Sequence, residues 1–167
     1  MEEENETREN WENYKKGQQT LYRQRNELLM DEKFKDLAFE FFNNPSERWH
    51  FLSFCCSLIH FEDQEFIKIF INEITEAALL DNPTGLMIAR FVLKKLDNNW
   101  LKANLDAIIN KILNEIDSES EQEWAYSRTA DLLYYLGFDY MLKAFLENCK
   151  IHTNPEINSI VDFYSND

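Results

Sequence analysis

Helix-start signals recur along this chain at nearly constant spacing: Asn44 before Pro45, Asn82 before Pro83, Ser118, and Asn154 before Pro155, at intervals of 38, 36 and 36 residues. An Asn or Ser side chain accepts hydrogen bonds from the free amides of a first helical turn, and proline at the first helical position removes no intrahelical bond. Such punctuation divides a chain into repeated helical hairpins. Only three glycines and three prolines occur in 167 residues, and apolar residues fall at helical intervals. The expectation is therefore an all-α fold of stacked antiparallel hairpins, about eight to nine helices. With 44% hydrophobic residues, the chain has ample material for the core of a single domain, residues 1–167.

Three hairpins are expected between residues 45 and 153: Pro45 to Asp81, Asn82 to Asp117, and Ser118 to Thr153. A C-terminal capping helix follows, over residues 154–167. The second helices share a pattern. Ile67, Ile71 and Ile74 correspond to Leu101, Leu105 and Ile108, and these to Leu142, Leu146 and Cys149. Each triplet has the spacing i, i+4, i+7 and lies along one helix face, while Lys68, Lys102 and Lys143 follow the first apolar position and point away from the seam. The first helices, Trp49 to Phe61, Leu86 to Leu96 and Trp124 to Leu136, vary more, and the first is apolar around much of its circumference. Ser118 with Glu121 forms a capping box, and Gly137 stands where a helix would end in a left-handed residue.

The N-terminal segment, residues 1–30, is acidic and polar and carries a possible first helix. Residues 1–12 hold six glutamates and one arginine, whereas Lys15, Lys16, Arg23 and Arg25 follow without an acid through residue 25. Trp11, Tyr14, Leu21, Tyr22, Leu28 and Leu29 form a sparse apolar stripe, interrupted by Gly17. A further helix is expected from Asp31 to Phe42.

The pattern from Pro45 to Asp167 resembles HEAT-like α-helical repeats, which implies hairpins wound as a right-handed α-α superhelix. Its period lies between the ~34 residues of tetratricopeptide units and the ~40–47 of HEAT units. Trp124, Arg128, Ala130, Leu132, Leu133, Leu136, Gly137, Leu142 and Leu146, followed by Asn154, Pro155, Glu156 and Ile157, are similar to a terminal helical repeat of small bacterial immunity proteins of polymorphic toxin systems. The resemblance implies a protein that neutralises a cognate toxin by covering it.

Chemistry-bearing fragments are sparse. Glu47 and His50 have the Glu-x-x-His spacing of di-iron bundles, but neither His60 nor His152 has a glutamate three residues before it, so His50 reads as a helix-surface residue. Cys149 and His152 lie three residues apart, yet catalysis by a thiol needs an activated thiolate and an oriented base, and the correspondence of Cys149 with Ile74 and Ile108 favours core packing. Cys55 and Cys56 also fit a packed helix. No phosphate-binding glycine loop or zinc quartet is present in the sequence. The expectation is a protein that is not an enzyme and has no cofactor, catalytic residue or metal site.

A formal charge of −14 argues against direct binding of nucleic acid, which needs a basic surface, and for a basic protein partner such as a nuclease toxin. The densest apolar run, Phe51 to Ile59, is too short for a bilayer, no secretory signal is visible, and three cysteines do not resemble a disulfide framework. A cytoplasmic protein without a membrane partner is expected. Its candidate partner-binding residues are Glu115, Asp117, Glu119, Glu121 and Glu123, five acids within nine residues, with Trp124 and Tyr126. Those acids also sit at a helix start, where the backbone dipole favours negative charge. Two functions remain open: toxin neutralisation, and an adaptor or scaffold that binds a peptide or protein in the repeat groove.

Overall fold

The computed structural model describes residues 2–59 and 64–164, with side chains from Glu6 onward. Every regular element among them is an α-helix. The chain divides into two compact units, residues 1–44 and 45–167. In the first, α1 (Glu2–Met30) runs unbroken through Gly17 and is followed by α2 (Phe34–Asn43). Asp31 makes the turn between them, its Oδ1 accepting from the Lys33 amide at 2.9 Å and its carbonyl accepting from the Phe34 amide at 3.0 Å. Phe34, Ala38 and Phe42 give α2 a buried i, i+4, i+8 stripe.

The second unit comprises α3 (Pro45–Leu58), α4 (Gln64–Ile69), α5 (Ile71–Leu80), α6 (Pro83–Lys95), α7 (Asn98–Asn114), α8 (Glu119–Leu136), α9 (Asp139–Lys150) and α10 (Pro155–Tyr164). The described helices thus number ten in all, against the eight to nine expected. The additional element comes from a break at Phe70, whose amide bonds the Ile67 carbonyl at 3.0 Å, one residue short of helical register, while its φ of −103° and ψ of 22° leave the helical basin. Phe70 is fully buried and meets the Phe51 ring edge-on at 5.1 Å and the Phe66 ring at 5.2 Å. The first helix of this unit stops at Leu58, short of the expected Phe61, which with His60 lies outside the described residues.

Helices α3, α6 and α8 pack in succession, α5 packs against α6, α7 and α8, and α10 lies on α8 and α9. Ile67, Ile71, Ile74, Leu101, Leu105, Leu142 and Cys149 are buried, and Ile108 and Leu146 half-buried, so the recurring triplets face the interior. Their neighbouring lysines do more than point away. Lys68 lies over the Trp100 ring of the next hairpin at 5.0 Å, and Lys102 lies over Phe138 of the one after, also at 5.0 Å. Each such contact contributes about 0.5–1 kcal/mol at an exposed site.

Three helix starts are capped by a side chain, whereas those of α2, α5, α8 and α9 carry no side-chain cap bond. Asn82 Oδ1 accepts from the amides of Thr84 at 3.0 Å and Gly85 at 3.1 Å, Asp97 Oδ1 from Trp100 at 2.8 Å, and Asn154 Oδ1 from Glu156 at 2.9 Å. Ser118 makes no side-chain cap bond, so the expected capping box with Glu121 does not form. Its hydroxyl instead lies 3.1 Å from that of Ser120, and the Gln122 amide group ties the turn by donating to the Ile116 carbonyl at 2.7 Å.

At the other end of α8, Gly137 adopts φ 75° and ψ 36°. Its amide bonds the Tyr134 carbonyl at 3.0 Å and the Phe138 amide reaches back to Leu133 at 3.0 Å, the paired bonds of a Schellman motif, with Leu133 and Phe138 both buried beside it. A Cβ at Gly137 would meet no atom within 4 Å, so a side chain there costs backbone strain alone. Gly137→Ala is expected to lower unfolding free energy by about 1–2 kcal/mol in chemical denaturation, and Gly137→Asn by less, because Asn tolerates the left-handed conformation.

Candidate functional site

The site is built on the end of α5. A helix leaves its last carbonyls without intrahelical partners, and here two arginines from later hairpins supply the donors. Arg90 of α6 donates from Nε to the Ala78 carbonyl at 3.2 Å, and Arg128 of α8 donates from Nη1 to Leu79 at 2.9 Å and to Asp81 at 3.1 Å. Arg90 Nη2 also donates to the Arg128 carbonyl at 2.9 Å, so three hairpins meet at this point. Burial pushes the Arg90 guanidinium below its ordinary pKa, and Asp131 opposes that shift. Asp131 in turn accepts from the Tyr164 hydroxyl at 2.6 Å, and burial with this bond raises the phenol well above its usual range.

One turn before Arg128 stands Trp124, 65% exposed, with the Arg128 guanidinium 4.8 Å from its ring centre. The carbonyls hold the guanidinium and the guanidinium holds the indole, so a large aromatic surface is kept at the surface in one orientation. Leu80, Ile116, Ser120, Glu121, Trp124 and Arg128 line an open cleft of about 340 Å³. Leu80 and Ile116 give the lining aliphatic surface, Trp124 gives it an indole, and Glu121 and Arg128 give it one charge of each sign.

The seven candidate residues do not all meet there. Glu121 and Trp124 line the cleft. Glu119 is exposed in the first turn of α8, Asp117 is exposed in the preceding loop, and Glu115 ends α7 with its carboxylate 3.9 Å from Lys111. Both partners of that ion pair are about two-thirds exposed, so it contributes little. Glu123 and Tyr126 belong to another face of α8. Glu123 Oε1 accepts from Asn154 Nδ2 at 2.9 Å, and the Tyr126 ring packs on Phe145 at 5.6 Å and His152 at 5.1 Å, where burial raises its hydroxyl pKa. These two residues fix the start of α10 to α8. Of the cleft residues that sequence reasoning did not select, Arg128 follows Trp124 by four positions, the spacing at which helix side chains meet; Leu80 is remote in sequence and carries no local signal.

The other fragments resolve as follows. His50 is exposed with its ring centre 3.9 Å from that of Trp49, and Glu47 is exposed. Among the described residues no three His, Cys, Asp or Glu side chains converge as a metal site would require. Burial pushes the Cys56 and Cys149 thiols up to about 11 and raises Cys55 further, so at neutral pH all three are thiols rather than thiolates. His152 Nδ1 accepts from the Asn154 amide at 3.1 Å, which occupies that nitrogen in the turn before α10. No described helix is long and apolar enough to cross a membrane. Comparison with protein-family models, curated proteins and solved structures returns no match.

Arg128→Ala is expected to destabilise the chain by about 1.5–3 kcal/mol in chemical denaturation, since charge-assisted bonds to two carbonyls are lost. Arg128→Lys should recover only part of this, because a shorter ammonium side chain lacks the planar guanidinium face that stacks on the indole.

Proposed function

We propose that this chain is a non-enzymatic protein-binding module that neutralises a basic effector, such as a nuclease toxin, by covering its functional surface, and that it acts in the cytoplasm. The observation that carries this reading is Trp124, more than half exposed yet held by Arg128 in a cleft that Leu80, Ile116 and Glu121 also line. Rigid, amphipathic tryptophan is the residue type most enriched where binding energy concentrates. Exposed acids leading into the site, Glu115, Asp117 and Glu119, add a field that attracts a cationic partner. A chain carrying a net charge of −14 would steer such a partner from solution, and the desolvated indole contact would slow its release.

A second reading, an adaptor that binds a peptide in a groove, draws on a separate open cleft of about 360 Å³ whose lining includes Tyr134, Leu142, Leu146, Val161 and Tyr164. Its rim mixes Asp139 and Glu147 with Lys143 and Lys150, which gives no preference for a basic partner.

Co-expression with a toxin encoded beside this gene tests neutralisation: cells should survive with the wild-type chain and die with Trp124→Ala. In a binding measurement with that toxin, Trp124→Ala should weaken affinity by about 30-fold or more, mainly through faster dissociation. Glu121→Lys should instead slow association and reduce its salt dependence. Continued toxicity beside abundant folded wild-type protein would reject neutralisation of that toxin.

A further inference from the structure

The recurring seam of the second unit is covered unevenly. In the first hairpin Ile67 and Ile71 are buried, and Lys68 lies over the Trp100 ring of the next hairpin at 5.0 Å. In the second, Leu101 and Leu105 are fully buried, and Lys102 lies over Phe138 at 5.0 Å, again a ring from the hairpin that follows. The third hairpin repeats the pattern in Leu142, Lys143 and Leu146, but these three residues line the open cleft of about 360 Å³. Leu146 is only half-buried where Ile71 and Leu105 are buried. Among the described residues Lys143 covers no ring and joins no ion pair.

The neighbouring helices say what shape fits there. Helix α6 packs on α3 and α5 of the hairpin before it, and α10 packs on α8 and α9 in the same way. Both begin with proline after asparagine. Helix α10 thus holds the place of a first helix. In the earlier unit the second helix, α7, packs on both α5 and α6. The corresponding place is the cleft between α9 and α10, where Val161 and Tyr164 of α10 join Leu142 and Leu146 of α9 in the lining.

We infer that this cleft binds an amphipathic helix of a partner protein, docked as α7 docks on α5 and α6. Contacts already made twice in the stack define the chemistry of that helix: aliphatic side chains at i and i+4 to cover Leu142 and Leu146, and an aromatic ring at its start to lie under Lys143. Both helices that cover a seam lysine carry such a ring, Trp100 in the first turn of α7 and Phe138 at the start of α9. Helix-in-groove recognition rests on anchors spaced in this manner. Lys150 and Glu147 on the rim pair with each other at 2.6 Å, which leaves Lys143 as the cation available to the incoming ring. The inference rests on the adaptor reading and is independent of toxin neutralisation, because neither Trp124 nor Glu121 lines this cleft.

A peptide copying α7, residues 98–114, is the probe, held helical by a staple between positions 106 and 110, which are exposed in the folded chain. It brings Trp100, Leu101 and Leu105. In fluorescence anisotropy the labelled peptide should bind the full chain saturably. Leu146→Glu should abolish binding with unchanged far-UV circular dichroism, and Trp124→Ala should leave binding intact, which separates this site from the other cleft. Lys143 is exposed, so its replacement does not endanger the fold. Lys143→Ala in the chain and Trp100→Ala in the peptide should each weaken binding by about two- to fivefold or more, and together by less than the product of the two, the mark of a direct pair. A wild-type chain that leaves the peptide unbound at about 1 mM, binding that survives Leu146→Glu, or independent effects of Lys143 and Trp100 would each overturn the inference. So would self-association of the chain that is lost in Leu146→Glu, which would assign the cleft to a second copy.

Discussion

The second unit is organised around the carbonyl end of α5. Backbone oxygens there have left the helical ladder and stand in a partly buried place, where an unbonded polar group costs about 1–3 kcal/mol. Arg90 and Arg128 meet the need together, and because they come from two different later helices they also bring those helices to one point. Carbonyl ends elsewhere are met in the same manner. Asn158 of α10 donates to the carbonyls of Cys149, Lys150 and His152 at the end of α9, and Lys94 of α6 reaches the Tyr135 carbonyl near the end of α8 at 2.5 Å. Apolar seams give the hairpins a reason to stack; these donors set where along the stack each one stops.

That arrangement also fixes the exposed ring beside it. A guanidinium held by two carbonyls is kept over the indole it covers, so the exposed Trp124 ring is already ordered in the folded chain. Anchoring the end of α5 and orienting the indole are thereby joined in one residue, Arg128. Glu123 and Tyr126 illustrate the opposite outcome. They lie within three residues of Trp124 in sequence, yet helical geometry turns them to a different face, where they anchor α10 and α9.

The parts of the fold legible in the sequence are those governed by neighbours a few residues away. Helix starts at Asn82 and Asn154, the left-handed stop at Gly137 and the buried triplets all depend on contacts within about one or two turns, and periodicity records them. The break at Phe70 was not legible, because its aromatic partners include Phe51 from a different helix. Ser118 and Glu121 matched a capping pattern but were drawn into other contacts, one with Ser120 and the other at the cleft. The lysines beside the triplets read as solvated; only stacking revealed that Lys68 and Lys102 cover rings of the following hairpin.

From residue types and their spacing alone came the all-helical character, the hairpin period, the acidic balance and the presence of an aromatic among acids. Tertiary structure decided which of those acids share a surface, that Leu80 and Ile116 line a cleft together with Trp124, and that Arg128 lies over the indole. The division has a physical cause: an amide at a helix start finds its acceptor on an adjacent residue, whereas a carbonyl at a helix end is satisfied here by side chains as many as 49 positions distant, and such pairings exist only once the helices have packed.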